Sequence, residues 1–192
     1  MTRPLLIAGI DLSLTSTGIA LVTTQPDADG HTKRIESKGH AKASLAQRNT
    51  RLTRLAKAIT DEAGGADLVV IEGPSFGQTR QGGQHDRAGL WWIVVNLLRE
   101  EYSSTVVEVP PACRARYATG KGNAAKDMVL ASVVKRYADW DVTGNDVADS
   151  LVLAAMGARH LGHPIETSLP TTHLAAMAGV AWPANTTGGT NT

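Results

Sequence analysis

Two short apolar runs that each stop on a carboxylate constrain the fold of this chain more than any other feature. Leu5 to Asp11 reads LLIAGID, and Asp67 to Glu72 reads DLVVIE. Aliphatic runs of this length, bounded by turn signals, are strands rather than helices. A second run, Gly18 to Thr24, follows the first after only the polar Ser13 to Thr17 stretch, which predicts two antiparallel strands joined by a turn. Pro26, Asp27, Asp29 and Gly30 make the next turn, before a weaker strand near Lys33 to Lys38. The period then changes. Leu45, Leu52, Leu55 and Ile59 share one helical face, with Ser44 as N-cap and Gly64-Gly65 as the stop.

Beyond DLVVIE, Gly73-Pro74 ends the strand and Gly77 to Gly83 is a polar, glycine-rich loop. Trp91, Val94, Val95, Leu98 and Tyr102 recur at helical spacing, and Thr105 to Val109 is a further strand stopped by Pro110-Pro111. Arg114 to Asn123 is expected as a loop, leading into a helix that carries Leu130, Val133, Val134 and Tyr137. Asn145 to His160 is a final Ala-rich helix. From Pro164 onward the Thr-, Ala-, Pro- and Gly-rich chain is expected to be a mostly disordered tail, giving one domain over 1–163 and a tail over 164–192. Three strands followed by alternating helix and strand predict an α/β layered domain with a mixed five-stranded sheet and flanking helices.

Composition removes whole classes of function. At 192 residues and 42% hydrophobic, the chain suits one compact core and argues against wholesale disorder. The greasiest stretch, Leu5 to Val22, is interrupted by Asp11, Ser13, Thr15, Ser16 and Thr17, so neither a membrane span nor a signal peptide fits. Cys113 is the single cysteine, which excludes an intrachain disulfide and favours a reducing cytoplasm. The net charge of +1 carries no global polyelectrolyte signal. Between Gln78 and Arg136, however, nine Lys and Arg residues face five acids, a modest basic sector compatible with phosphate contacts. Aromatics at 4% are too few for a broad base-stacking platform.

Four acids stand out by position: Asp11 and Glu72 at strand ends, and Asp146 and Asp149 three apart at the start of the last helix, on one face. Any one of them alone is as readily a turn former or a helix-start acid. Together they can converge at one edge of a sheet, where their mutual repulsion and lost solvation call for a divalent cation with a taste for hard oxygen, Mg²⁺ or Mn²⁺. Two such ions can activate water and stabilise the leaving oxygen of a phosphodiester.

These same segments resemble RuvC-type Holliday junction resolvases. GIDLSLTSTGIALV (Gly9 to Val22) is similar to that family's first strand and hairpin, VVIEGPSF (Val69 to Phe76) to its second acidic strand, GKGNAAKDMV (Gly120 to Val129) to its basic loop, and NDVADSLVLAAMG (Asn145 to Gly157) to its closing helix. The resemblance runs in order over Gly9 to Gly157. It implies a ribonuclease-H-like fold, a homodimer, two Mg²⁺ or Mn²⁺ ions per site, and hydrolysis of a four-way DNA junction to 5′-phosphate and 3′-hydroxyl ends. It implies Asp11, Glu72, Asp146 and Asp149 as catalytic, metal-holding carboxylates and Lys126 as a DNA contact. The family's other loop lysine aligns with Ala115, leaving Arg114 or Arg116 to reach a phosphate, with Lys121 in the same basic stretch. Phe76 resembles the aromatic that stacks in the junction centre, although it follows Glu72 by four residues rather than three. Leu12-Ser13 replaces the family's Pro-Gly. A cellular member works with branch-migration proteins and a phage-encoded one acts alone; the composition decides neither.

Arg80 and Arg87 flank the glycine-rich loop and are candidates for DNA-backbone contact, with a solvated surface role equally open. Trp91 and Trp92 are read as packing residues, the second with a dimer interface as its other option. His85 and His160 lack partners at metal-site spacing, and Cys113 lacks a neighbouring base, so none of the three is assigned chemistry. An actin- or sugar-kinase-like ATPase shares a similar opening strand, but no DxGGGT-type second phosphate hairpin is present. A general branched-DNA nuclease and a junction binder without catalysis remain the other readings.

Overall fold

A computed structural model describes residues 3–25, 30–74 and 83–184. Five strands form one sheet in the order β3-β2-β1-β4-β5. They are β1 (Leu6–Asp11), β2 (Ser16–Thr23), β3 (His31–Glu36), β4 (Leu68–Glu72) and β5 (Thr105–Val109). The first three pair antiparallel, while β4 runs parallel to β1 and β5 parallel to β4. The C-terminal ends of β1, β3, β4 and β5 and the start of β2 therefore lie along one edge. The mixed sheet is the one expected from the sequence.

Side chains alternate across a strand, so the sheet divides its residues between two cores. Ala8, Ile10, Val69 and Ile71 pack with α1 (Leu45–Ala63) and α2 (Gln84–Glu100). Ile7, Val22, Leu68 and Val70 point the other way, toward α3 (Pro111–Thr119), α4 (Lys126–Arg136) and α5 (Asn145–His160). Each fully buried Ile or Leu contributes about 1.5–3 kcal/mol, and both layers hold several. Ser44 caps α1 as expected: its hydroxyl accepts from the Gln47 N–H while the Gln47 side chain accepts from the Ser44 N–H, worth about 1 kcal/mol.

Helix α5 lies unusually close to the strands. A Cβ at Gly9 would collide with the backbone of Ser150 and Ala154, and one at Gly18 with the Asp146 carbonyl. These two glycines let the helix settle on β1 and β2, and its Ala-rich middle (Ala154, Ala155, Ala158) is wholly buried.

Two expectations are corrected here. Arg114 to Asn123 is not a loop throughout: Pro111 to Thr119 is helical, because a proline in the first turn starts a helix as well as it stops a strand. Nor is the chain from Pro164 a free tail. Residues 164–184 pack beside α3 and α5, with α6 (Thr171–Leu174), a 3₁₀ turn at Met177–Gly179, and Ala176 and Val180 buried. The anchor is Glu166, 7% exposed. It accepts hydrogen bonds from the Tyr117 hydroxyl (2.8 Å), the Tyr137 hydroxyl (2.5 Å) and Arg159 Nη2 (2.9 Å). No helix among the described residues is long and apolar enough to cross a membrane.

Candidate active site

Strand parity decides where the acids point. Asp11 and Glu72 share the parity of Ile7 and Val70, so both face α5, across whose first two turns Asp146 and Asp149 lie three residues apart. Close seating of α5 on Gly9 and Gly18 brings the helix acids over the strand acids.

Arg114 stands at the centre of the cluster. Its Nε is 2.7 Å from Glu72 Oε2 and its Nη1 is 2.7 Å from Asp149 Oδ1, with only 10% of its side chain exposed. One guanidinium thus serves two carboxylates directly, and among the described residues Asp11 has no hydrogen-bonded cation. Burial, followed by repulsion from Glu72 and Asp149, pushes the Asp11 carboxyl up to about 8, against partial relief from Arg114 and Lys126. Burial also raises Asp149, to about 7; Arg114 and Lys126 oppose this, and Glu72 and Asp146 reinforce it.

Asp146 behaves differently. Burial works against its ionisation, yet hydrogen bonds from Ser16, Arg34 and the Val147 N–H hold its carboxyl below the usual range. Arg34 grips it bidentately, Nε to Oδ2 at 2.8 Å and Nη2 to Oδ1 at 2.9 Å, and the Ser16 hydroxyl donates to Oδ2. Sequence reasoning missed both partners. The signal was the hairpin register: Arg34 is opposite Gly18 and Ser16 opposite Glu36, at the place where α5 begins.

All four sequence-predicted carboxylates therefore meet at one sheet edge, as three acids around Arg114 and a fourth turned toward Arg34. Among the described residues no three of them stand in a ready metal-ligand arrangement. The donor set nevertheless fits a divalent cation. It consists of hard oxygens, burial together with mutual repulsion raises two of its carboxyl groups, and its internal cation is already shared between two acids.

The other predicted contacts fall in three groups. Arg114 is buried among the carboxylates on a helix, which corrects its placement at the start of a loop. Arg87, Arg116, Lys121 and Lys126 are exposed, and Lys126 is close enough to influence Asp11 and Asp149. Phe76 and Arg80 lie outside the described residues. Trp91 packs into the α1–α2 core, its Nε1 donating to the Glu72 carbonyl at 3.1 Å. Trp92 is 66% exposed, which corrects its reading as a core residue and leaves the interface option. Burial pushes the Cys113 thiol up, in keeping with an inert cysteine, and His160 stacks on Trp182 with ring centroids 4.7 Å apart.

A curated protein similar to this chain is the crossover junction endodeoxyribonuclease RuvC of Sphingopyxis alaskensis. It is 30% identical over 161 residues, 81% of this chain and 98% of the relative. Among solved structures, Thermus thermophilus RuvC matches with a TM-score of 0.61 at 18% identity, over 83% of this chain and 98% of that one. The same bacterium's RuvC in complex with a Holliday junction substrate matches at 0.59 and 17%, over 83% and 97%. The yeast mitochondrial Holliday junction resolvase matches at 0.51 and 12%, over 77% and 75%. At these identities the structural likeness is one of fold, and that fold is ribonuclease-H-like, as the sequence implied. No family profile matches the chain.

Proposed function

The chain belongs to the RuvC family, and from that membership and the acid cluster we propose that it is a metal-dependent endonuclease that resolves four-way DNA junctions by paired, symmetric nicks. The observation that carries the proposal is the group Asp11, Glu72 and Asp149, crowded at a sheet edge around a single shared arginine. A structural cluster would be neutralised; this one is left short of positive charge.

Asp11, Glu72, Asp146 and Asp149 would hold two Mg²⁺ or Mn²⁺ ions. When bound, such ions make water a competent nucleophile at neutral pH and stabilise charge on the leaving oxygen. The chain's own residues set the stage. Arg34 and Ser16 fix the Asp146 carboxylate in one orientation and keep it ionised. Arg114 pairs with both Glu72 and Asp149, which limits part of the cost of holding the acids together. Lys126, exposed beside the cluster, would take a backbone phosphate next to the reacting one. The products would be 5′-phosphate and 3′-hydroxyl ends.

Symmetric nicking needs two sites, and α2 offers a surface for a second copy of this chain. Trp92 and Ile93 are exposed there, beside the open Gly89. Burying that aromatic against a second copy would give the assembly the two sites that paired nicks need.

Cleavage of an end-labelled synthetic four-way junction, with Mg²⁺, Mn²⁺ or EDTA and beside flap, fork and linear duplexes, tests the proposal. Paired symmetric nicks that vanish with EDTA and in Asp146→Asn are expected. Equal cutting of flaps and forks would replace the junction resolvase with a general branched-DNA nuclease. Wild-type rates in Asp146→Asn would remove the site assignment altogether.

A further inference from the structure

The strongest concentration of positive charge in the chain lies outside the segments that resemble the family's DNA contacts. From His31 to Lys57 there are eight Lys and Arg residues and one acid, Glu36. The structure sorts the eight into two sets. Lys33 pairs with Glu62, Arg34 with Asp146, Arg48 with Asp86 and Lys57 with Asp61. Lys38, Lys42, Arg51 and Arg54 have no ion-pair partner among the described residues.

Those four gather at one place. An open groove of about 630 Å³ runs between the end of β3 and the N-terminal half of α1, and Lys38, His40, Arg51 and Arg54 line it. Lys42 stands between two lining residues, His40 and Ala43. Lys38, Lys42 and Arg54 are exposed, while Arg51 is half-buried and built into the wall. Its Nε donates to Ser37 Oγ at 2.9 Å, and its Nη2 donates to the carbonyls of Ser37 (3.0 Å) and Leu14. These acceptors are neutral, so its charge is not cancelled. Gly39 makes room for it, since a Cβ there would strike the guanidinium.

The groove opens toward the sheet edge that carries the acids, on the face opposite α5. β3 ends at the same edge as Asp11 and Glu72, and α1 packs on the other face of the sheet from the carboxylates. The Leu14 carbonyl held by Arg51 lies three residues after Asp11, and the Ser37 N–H donates to the Thr15 carbonyl at 2.9 Å in the same turn. A duplex arm that leaves the carboxylates around this edge would meet four cations without an ion-pair partner among the described residues, beside the one acid of the groove lining, Glu36.

We propose that the groove between β3 and α1 binds the phosphate backbone of a duplex arm of the DNA substrate, through Lys38, Lys42, Arg51 and Arg54. This rests on the branched-DNA reading above and adds a surface to it. Backbone contacts of this kind fix register and orientation without reading sequence. Each contact made by a cation releases counterions, so it is written in the salt dependence of binding.

The test is fluorescence anisotropy with a labelled four-way junction across a salt series, in an Asp11→Asn background so that nothing is cut. The full chain is compared with the same chain carrying Lys38→Ala, Lys42→Ala and Arg54→Ala together. Arg51 is left alone because it holds the turn after Asp11, and the three changed residues are exposed. The expected result is weaker binding by about tenfold or more at moderate salt, with the slope of log K against log salt smaller by about two to three. Melting temperatures should agree. Unchanged affinity and slope in a junction-binding protein would overturn the groove and leave the endonuclease reading standing. Absence of junction binding by the parent chain would overturn both.

Discussion

Among the described residues, two buried carboxylate–arginine clusters are built to opposite rules. Around Glu166, one acid receives two tyrosine hydroxyls and Arg159, so its acceptors are met by donors from three elements and the network is closed. Around Arg114, one guanidinium is shared by Glu72 and Asp149, and Asp11 beside them is raised by burial and then by its two acidic neighbours. The first arrangement fastens residues 164–184 to the core. The second holds buried repulsion that a proton or another cation relieves. A buried ionic group is structural when its charges and hydrogen bonds balance, and a candidate for chemistry when they do not.

The sharpest way to break this contrast is to neutralise one acid in each cluster. Asp11→Asn should lower junction cleavage by about a thousandfold or more. The same change should raise the melting temperature of the metal-free protein at neutral pH, because it removes a buried carboxyl that the folded chain disfavours in its ionised form. Glu166→Ala should do the reverse. It strands Arg159 and two tyrosine hydroxyls, costing about 3–5 kcal/mol, or a fall of about 10 °C in melting temperature. Cleavage by the folded protein at low temperature should stay within about twofold of wild type. Thermal melts and single-turnover cleavage, run side by side, read both signs.

Arg114→Gln should have an intermediate effect. Without metal it leaves three acids uncompensated and should cost about 2–3 kcal/mol; saturating Mn²⁺ should restore much of that loss. The matching change at Arg159 should not be rescued by Mn²⁺. The most gradual effect is on pH. Asp11 and Asp149 titrate near 8 and 7 in the folded chain, above their ordinary value of 3.8. Between these limits the native state keeps protons that the unfolded chain has released. Their contribution to stability is therefore full below about pH 4 and is lost as pH rises through 7 and 8. Metal-free melting temperature should fall over that range. Asp11→Asn should flatten the fall by at most about 1.4 kcal/mol per pH unit, one proton's worth.

The sequence showed the four acids because each sits at an element end that local pattern reveals: two apolar runs closed by a carboxylate, and a helix start with two acids three apart. The five strands were legible for the same reason. What stayed hidden was long-range pairing. Arg34 reaches Asp146 across 112 residues, and nothing near either announces the other. Local pattern puts Arg114 on a loop because Pro110-Pro111 signals a strand stop, yet the same prolines start the helix that carries the arginine into the cluster. The segment after Pro164 has the composition of a tail, and its order depends on Glu166 meeting tyrosines 49 and 29 residues upstream.

The central claim is that the unbalanced cluster, and not the balanced one, takes the cation. Titration of the metal-free full-length protein with Mn²⁺ by calorimetry, beside Asp11→Asn and Glu166→Gln, tests it most directly. The account predicts saturable binding in the wild type and in Glu166→Gln, with binding lost or severely weakened in Asp11→Asn. Undiminished Mn²⁺ binding in Asp11→Asn would contradict it.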